Sequence, residues 1–276
     1  MIYVVEEMRW ATVTELMGFQ QKGIPFAEWG IKGHNRPYIL ENGGFQRGMR
    51  VAEVGGAYSE LPEHIATTYG CEVSVIDDFG VESGEPLWSR WGNREDLKEK
   101  NSHVNYIFER VGNIDSNNIP LGYFDVVYSV STLEHIPPEK IGRAFVHMAE
   151  MLKVGGTMIH CIDCRIPLTP HRKPNWLGVV LGTIGYAGYH SLRNIFSTRN
   201  KPYLHSILGW KSFVKRILRP CTFGKTPGLG FVSSSINPDI VVEPPDVVFK
   251  LYPPNNTVKR YTRNGTFVLI IKKSAA

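Results

Sequence analysis

The sequence has few cysteines and, over one long segment, no acidic residues, and its opening residues do not resemble a secretory leader. Four cysteines among 276 residues are too few for a disulfide framework, which excludes the small disulfide-stapled classes. The opening residues, MIYVVEEMRW, carry two glutamates where a leader needs a basic start and a clean apolar stretch. We therefore expect no export, a reducing cytoplasmic location and free thiols.

Acidic residues are missing from Arg165 to Pro238, where eleven lysines and arginines occur. The formal charge of the whole chain is only +5, so the remaining residues are acidic on balance. An uneven distribution of this kind indicates attraction to something anionic, although a solvated basic surface that keeps the protein soluble is the alternative.

Short apolar runs alternate with helical stretches from Met49 to Asp163. Each run has four to six residues, which suits a buried strand better than a helix. The alternation predicts an α/β domain with a doubly wound, mostly parallel sheet. The strand predictions are Met49–Val54, Glu72–Ile76, Tyr106–Val111, Phe124–Ser129 and Thr157–Ile162, with helices at Ser59–Tyr69 and Pro138–Leu152.

The end of the chain has a second sheet-like pattern. Val247–Tyr252 and Val258–Lys273 are rich in strand-forming residues, and Asn264-Gly265 divides the second of these runs. Asn-Gly between two such runs is a strong hairpin signal. We therefore expect the chain to end in an antiparallel pair of strands, a hairpin that turns at Asn264-Gly265.

The flanking segments define the predicted domain organisation. Residues 1–48 are predicted to be a helical lead-in, with a helix over Thr12–Gln21 and a loop over Lys22–Asn35. Residues 49–276 form the main domain, and residues 164–238 are predicted to be a basic cap or lid inserted after the fifth strand. Within that insertion, Asn175–Leu192 is uncharged and is predicted to be a lid or a peripheral membrane contact, because its glycines and polar residues disfavour a membrane span.

Glycines and polar side chains follow the predicted strands at their carboxyl ends. Glu53 precedes the turn Gly55-Gly56, which opens onto a helix, and Asp77-Asp78 ends the next strand. Open α/β sheets bind ligands at this edge. Glycines allow a ligand to approach the backbone, and a carboxylate can accept both hydroxyls of a ribose. Each feature has a structural alternative: a tight turn for the glycines and a helix cap for the carboxylates.

These motifs, in this order, resemble the class I S-adenosylmethionine-dependent methyltransferases, in particular the small-molecule branch with the acid-histidine step Glu134-His135. The resemblance covers Met49 to Asp163 and implies a seven-stranded sheet whose last strand is antiparallel. It implies S-adenosylmethionine as the cofactor, held by Glu53, Gly55, Gly56 and Ala57 at the methionine part, Asp77 and Asp78 at the ribose, Phe79, Asn113 and Ile114 at the adenine, and Ser129 near the sulfonium. Ala57 departs from the family, which more often has glycine there.

Transfer to an oxygen also needs a group that takes the proton of the acceptor. His135 is the leading candidate for this base, because imidazole titrates near neutral pH and the residue follows the fourth strand. His160, Asp163 and His171, which flank the end of the fifth strand, are the reserve candidates. No metal is expected, although the spacing of Cys161 and Cys164 leaves a zinc site as a minor alternative.

The predicted function is O-methylation of a small-molecule or glycan-type acceptor. If the basic cap binds this acceptor, we expect the acceptor to carry negative charge. Ser129-Val130-Ser131-Thr132 stands where nucleic-acid amino-methyltransferases carry an Asn/Asp-Pro-Pro-aromatic step, which disfavours that activity. An RNA-binding protein that uses the basic residues 164–238 is the alternative from another class. A nicotinamide-dependent oxidoreductase would need a fuller G-x-G-x-x-G motif.

Overall fold

The computed structural model describes residues 2–56, 58–79, 94–113, 117–167, 207–219, 221–223, 240–241 and 262–275. The strands are β1 (Ile2–Trp10), β2 (Arg50–Val54), β3 (Glu72–Ile76), β4 (Val104–Ile107), β5 (Phe124–Val130), β6 (Leu152–Pro167), β7 (Cys221–Phe223) and β8 (Thr262–Ser274). The helices are α1 (Val13–Gln21), α2 (Ile31–Asn42), α3 (Leu61–Tyr69), α4 (Arg94–Lys100), α5 (Pro138–Met151) and α6 (Ile207–Ile217), and Leu133–His135 forms a short 3₁₀ turn.

The described strands form one sheet in the order β4-β3-β2-β5-β6-β8-β1-β7. Strands β2 to β6 pair in parallel, whereas β8 runs antiparallel to both of its neighbours, β6 and β1. The predicted α/β class and the antiparallel last strand are therefore confirmed. The described sheet has eight strands rather than seven, because β1 and the short β7 extend it beyond β8.

Helices cover both faces of the sheet. On one face, α2 and α3 pack through Ile39 and Ile65 onto strand residues such as Val126. On the other face, α5 and α6 pack through Phe145 and Val214. Because parallel strands in such a sheet are buried on both sides, their carboxyl ends are where the chain is free to form a site.

The N-terminal region differs from the predicted helical lead-in. Ile2–Trp10 is a strand of the main sheet, so the region is continuous with the domain core. The predicted loop over Lys22–Asn35 is only partly a loop, since α2 begins at Ile31. The sequence signal was weak because this helix buries polar side chains, His34 and Asn35, in addition to apolar ones.

The predicted hairpin at Asn264-Gly265 is wrong. Both residues lie inside β8, where Asn264 pairs with Arg165 and Gly265 with Cys164 of β6. A two-residue turn stabilises a hairpin only if the two halves of the run pair with each other. Here the run finds partners on both sides, β6 and β1, and the continuous antiparallel pairing overrides the local turn preference.

Part of the predicted cap belongs to the core. Residues 207–217 form α6, and its Phe213 and Val214 are buried against α5. Most of residues 164–238, including the uncharged segment 175–192, and the predicted strand 247–252 lie outside the described residues. Among the helices that are described, none has the length and apolar character needed to cross a membrane.

Candidate functional site

The turn after β2 requires glycine for reasons of backbone conformation and space. Gly55 has a φ of +75°, and a Cβ added to it would stand 2.2 Å from Cγ2 of Thr132. A Cβ on Gly56 would stand 2.3 Å from Cδ of Glu53. Side chains at either position would therefore clash, and the bare backbone of this glycine turn (Gly55-Gly56) is left beside the start of α3. Ala57 lies outside the described residues.

Glu53 is buried directly beneath the glycine turn. Its carboxyl group accepts a hydrogen bond of 3.0 Å from the hydroxyl of Tyr128 on β5. Burial raises the pKa of Glu53 to about 8, although Tyr128, Ser59 and the cations Arg36 and Lys32 act in the opposite direction. The carboxyl group is consequently mostly protonated near neutral pH, and it holds the turn as a hydrogen-bonding group.

Asp77 stands at the end of β3, next to the glycine turn. The backbone N–H of Gly55 donates to the carbonyl of Ile76, which brings the two strand ends together at 3.0 Å. Oδ1 of Asp77 accepts the N–H of Phe79 at 2.7 Å, which supports a positive φ of 58° at Phe79. The Phe79 ring makes edge contacts with Tyr58 and Phe108 at centroid distances of 5.6 and 5.4 Å. A carboxylate and an aromatic surface therefore adjoin the turn.

The predicted adenine-binding turn after β4 is only partly described. Its Gly112 N–H donates to Nδ1 of His147 at 2.9 Å, which fastens the turn to α5. Asn113 is exposed, and its N–H donates to the carbonyl of Arg110. Ile114 lies outside the described residues. Asp78 is partly buried beside Asp77.

Ser129 and His160 are paired in the core. Both are fully buried, and Oγ of Ser129 lies 2.9 Å from Nδ1 of His160. The imidazole packs against Phe145 of α5, and burial lowers its pKa to about 3. His160 is therefore neutral at physiological pH. Its side chain faces α5, whereas Asp163, an odd number of residues along the same strand, faces α2.

Asp163 is held by helix α2. Nδ2 of Asn35 donates to Oδ1 of Asp163 at 3.3 Å, and Nζ of Lys32 lies 4.0 Å from Oδ2.

His135, in the 3₁₀ turn, exposes 60% of its side chain, and its Nε2 lies 3.9 Å from Oε1 of the buried Glu134. Asp163, Glu134 and His135 thus lie together at the carboxyl ends of the strands. The side chain of His160 points to the other face of the sheet, towards α5.

The contribution of α2 was missed by the sequence analysis. Lys32, Asn35 and Arg36 all come from the segment that was predicted to be a loop or its boundary. The only signal was the presence of polar residues between apolar ones around Ile31 and Ile39, and that pattern is too irregular to identify a buried helix face.

The zinc alternative finds no support in the described part of the chain. No group of three or more His, Cys, Asp or Glu side chains there could hold a metal ion. Cys161 is buried, and its Sγ lies 3.7 Å from the backbone carbonyl of Asn35. The side chain of Cys164 lies outside the described residues.

Comparison with known proteins gives a family match for part of the chain. Residues 91–160 match the family model described as a methyltransferase domain. No curated protein matches the chain. Among solved structures, phosphoethanolamine N-methyltransferase 2 of Haemonchus contortus, in complex with S-adenosyl-L-methionine, has 15% identity and a TM-score of 0.48; the alignment covers 95% of this chain and 57% of that protein. Geranyl diphosphate C-methyltransferase of Streptomyces coelicolor has 10% identity and a TM-score of 0.46, with coverages of 88% and 80%.

The match over residues 91–160 agrees with the predicted resemblance to the class I methyltransferases. The chain spans little more than half of the Haemonchus protein. Nothing in these comparisons points to RNA binding.

The described residues fit a sulfonium nucleoside at the glycine turn. Gly55 and Gly56 leave backbone where any side chain would clash, and Asp77 places a carboxylate on the adjoining strand end. Phe79 and its aromatic neighbours provide an apolar surface beside that carboxylate. Backbone that carries no side chain, a carboxylate and an aromatic surface are the groups that an amino acid joined to a nucleoside can use.

Proposed function

We propose that the protein transfers the methyl group of S-adenosylmethionine to an oxygen atom of a small-molecule or glycan-type acceptor. The observation that carries the proposal is the junction of Gly55 with Ile76, which puts the glycine turn and Asp77 side by side at the carboxyl edge of the sheet. This edge is where open α/β sheets bind their ligands.

The cofactor supplies an activated methyl group, so this chain has chiefly to align the acceptor and exclude water. The glycine turn allows the backbone to approach the methionine part of the cofactor. Asp77 is suited to accept hydrogen bonds from ribose hydroxyls, and the Phe79 ring to contact the adenine. Ser129, whose hydroxyl contacts His160, stays a predicted neighbour of the sulfonium. Asp78, Asn113, Ala57 and Ile114 remain predicted members of this set.

An oxygen acceptor loses a proton as the methyl group arrives, and His135 is our proposed base. Its imidazole is largely exposed and lies next to Glu134, so it can take a proton from the acceptor and release it to water. His160 is less suited, because an imidazole whose pKa is near 3 is a weak base. Asp163 remains a reserve candidate, as does His171, which lies outside the described residues.

The nature of the acceptor and its surroundings are also proposed from the sequence. The eleven cations between residues 165 and 238 favour an acceptor that carries negative charge, or an anionic surface near the site. The uncharged segment 175–192 is suited to close over the acceptor or to touch a membrane surface. The cysteines that are described, Cys71, Cys161 and Cys221, are free thiols, which is compatible with the cytoplasmic location that we propose.

The test is transfer of a labelled methyl group from S-adenosylmethionine to a panel of carbohydrates, nucleotide-linked sugars and hydroxylated carboxylic acids. His135→Ala should lower turnover by roughly two orders of magnitude or more, because positioned acid-base groups contribute that much. Cofactor affinity should stay unchanged. His103→Ala is the matched control, because His103 is an exposed histidine directly before β4, and β3 and β2 separate that strand from β5 in the sheet. Unchanged turnover in His135→Ala would remove this residue from the reaction.

A further inference from the structure

Buried polar atoms without a hydrogen-bond partner gather beside α2 at the carboxyl ends of β5 and β6. They are Oδ1 of Asn35, Oγ of Ser131 and both carboxyl oxygens of Glu134. Asn35 is fully buried and Glu134 is only 2% exposed. Buried polar groups are almost always hydrogen-bonded, since leaving one unpaired costs roughly 1–3 kcal/mol. Several in one place indicate that a ligand supplies the missing partners.

Glu134 is the most unusual member of this polar cluster, which we define as Asn35, Ser131, Glu134 and Asp163. Neither of its carboxyl oxygens has a hydrogen-bond partner of normal geometry, although the backbone N–H groups of Asp163 and of Glu134 itself lie close enough to act against the rise of its pKa. Burial and the neighbouring Asp163 raise the pKa of Glu134 well above its usual value. A protonated carboxyl group both donates and accepts hydrogen bonds.

The remaining members of the polar cluster show which chemistry is missing. Asp163 already accepts from Asn35 at 3.3 Å and has the ammonium group of Lys32 at 4.0 Å. Because Asn35 donates through its Nδ2, its unpartnered atom is the acceptor oxygen. The Asn35 oxygen needs a donor, whereas the Ser131 hydroxyl and a protonated Glu134 can each donate and accept, so groups that do both fit the cluster. A cation, Lys32, is already present beside Asp163. This pattern favours neutral O–H groups over an ammonium ion and disfavours an anion at this position.

The polar cluster also lies where a methyl acceptor has to bind. Thr132, between Ser131 and Glu134 in the chain, contacts the glycine turn: its Oγ1 is 3.5 Å from the carbonyl oxygen of Gly55. Ser131 is held in a left-handed conformation, with a φ of +50°, and its N–H donates to the carbonyl of Cys161. A non-glycine residue in this conformation is strained, and such strain is concentrated at functional sites.

We propose that Glu134 and Asn35 recognise hydroxyl groups of the methyl acceptor, and that this acceptor presents a neutral polyhydroxylated ring, as in a sugar, to the polar cluster. The inference rests on the proposed transferase function and narrows its substrate class. Negative charge on the acceptor, if present, then lies on another part of the molecule. Glu134 and Asn35 are specificity-determining residues in this account, and His135 keeps the role of base.

The test is saturation-transfer difference NMR with the full chain saturated with S-adenosylhomocysteine. The probes are the methyl pyranosides of glucose, galactose, mannose and rhamnose, together with ethylammonium and acetate as charged probes. We expect at least one neutral glycoside to bind the wild type and neither charged probe to bind at the cluster. Glu134→Met and Asn35→Leu should each weaken the glycoside signal at least about fivefold, as expected for the loss of a hydrogen bond worth about 1 kcal/mol.

Two further variants keep this test decisive. Glu139→Met, at an exposed position of α5, should leave the signal unchanged. Glu134→Gln preserves the shape and one acceptor oxygen, so it should fold as the wild type does and retain a weakened signal. If Glu134→Gln binds the glycosides as well as the wild type while Glu134→Met lowers the unfolding temperature, Glu134 merely packs against the backbone of Asp163 and the inference is wrong.

The remaining outcomes separate this inference from the function on which it rests. Binding of S-adenosylhomocysteine without binding of any glycoside overturns only the assignment of the polar cluster, as does Glu134-dependent binding of ethylammonium or acetate in place of a glycoside. Failure to bind S-adenosylhomocysteine overturns the proposed function itself.

Discussion

The hydroxyl of Tyr128 donates a 3.0 Å hydrogen bond to the carboxyl group of Glu53, and the two residues are direct neighbours in the parallel pairing of β5 with β2. The bond lies under the glycine turn and joins the two central strands at the edge where the cofactor is proposed to bind. Glu53 is 1% exposed, so its protonation state is coupled to the stability of the fold.

Glu53→Gln should change how stability depends on pH. The pKa of Glu53 is raised from 4.5 to about 8 in the folded protein, so the folded state keeps a proton that the unfolded chain releases between these values. This group therefore makes the wild type less stable as pH rises from about 4.5 to about 8. Glu53→Gln cannot ionise, so we expect it to gain stability relative to the wild type over this range in urea unfolding. Glu72→Gln, at an exposed position, should show no such trend.

Gly55→Ala should damage both the fold and cofactor binding. A positive φ costs an alanine about 1 kcal/mol or more, and here its Cβ also meets Thr132 at 2.2 Å. Gly122→Ala is the matched control, because Gly122 has a φ of +61° with no atom within 4 Å of an added Cβ. The unfolding temperature should be lower than that of the wild type in both variants, and the decrease should be larger in Gly55→Ala. Only Gly55→Ala should lose affinity for S-adenosylhomocysteine, and equal affinities would remove the glycine turn from the site.

Asp77→Asn should weaken cofactor binding without disturbing the turn. The asparagine retains the oxygen that accepts the Phe79 N–H, so the local backbone conformation is preserved. It loses the charge that strengthens hydrogen bonds to ribose hydroxyls. Since a hydrogen bond to a charged group is worth roughly 1.5–3 kcal/mol, we expect roughly a 10- to 100-fold loss of affinity for S-adenosylhomocysteine by calorimetry. An unchanged affinity would mean that Asp77 only caps the turn.

His160→Asn should make the protein less sensitive to acid relative to the wild type. Burial lowers the pKa of His160 from 6.5 to about 3, so the unfolded chain binds a proton that the folded protein does not bind. The free energy of unfolding of the wild type therefore decreases as pH falls from about 6.5 towards 3. The difference in unfolding free energy between the wild type and His160→Asn should shrink over that range. His103→Asn, whose side chain is 62% exposed, is the control and should show little change of this kind.

The central strands were predictable because several local signals agree there. Glu72–Ile76 was predicted with its correct bounds, and the helix over Pro138–Leu152 was placed within one residue of its observed end. The apolar runs, the glycines after the strands and the acids at their ends all pointed to the same architecture. Because these signals agree, a parallel α/β sheet can be predicted from one sequence.

The errors arose where long-range pairing decided the structure. Asn264-Gly265 is a good turn signal, but its strand is paired on both sides by chain segments more than 90 residues away. Likewise, within the described residues β1 joins the sheet through β7 and β8, which come from the other end of the chain. The placement of Asn35 against Asp163 also depends on a contact between residues 128 positions apart. Periodicity within a short window carries no information about such contacts.

The most direct test of the central claim is calorimetric titration of the full chain with S-adenosylhomocysteine and, in parallel, with NADH. The account predicts saturable binding of S-adenosylhomocysteine that Gly55→Ala and Asp77→Asn weaken, and no binding of NADH. Binding of NADH with no heat from S-adenosylhomocysteine would contradict it.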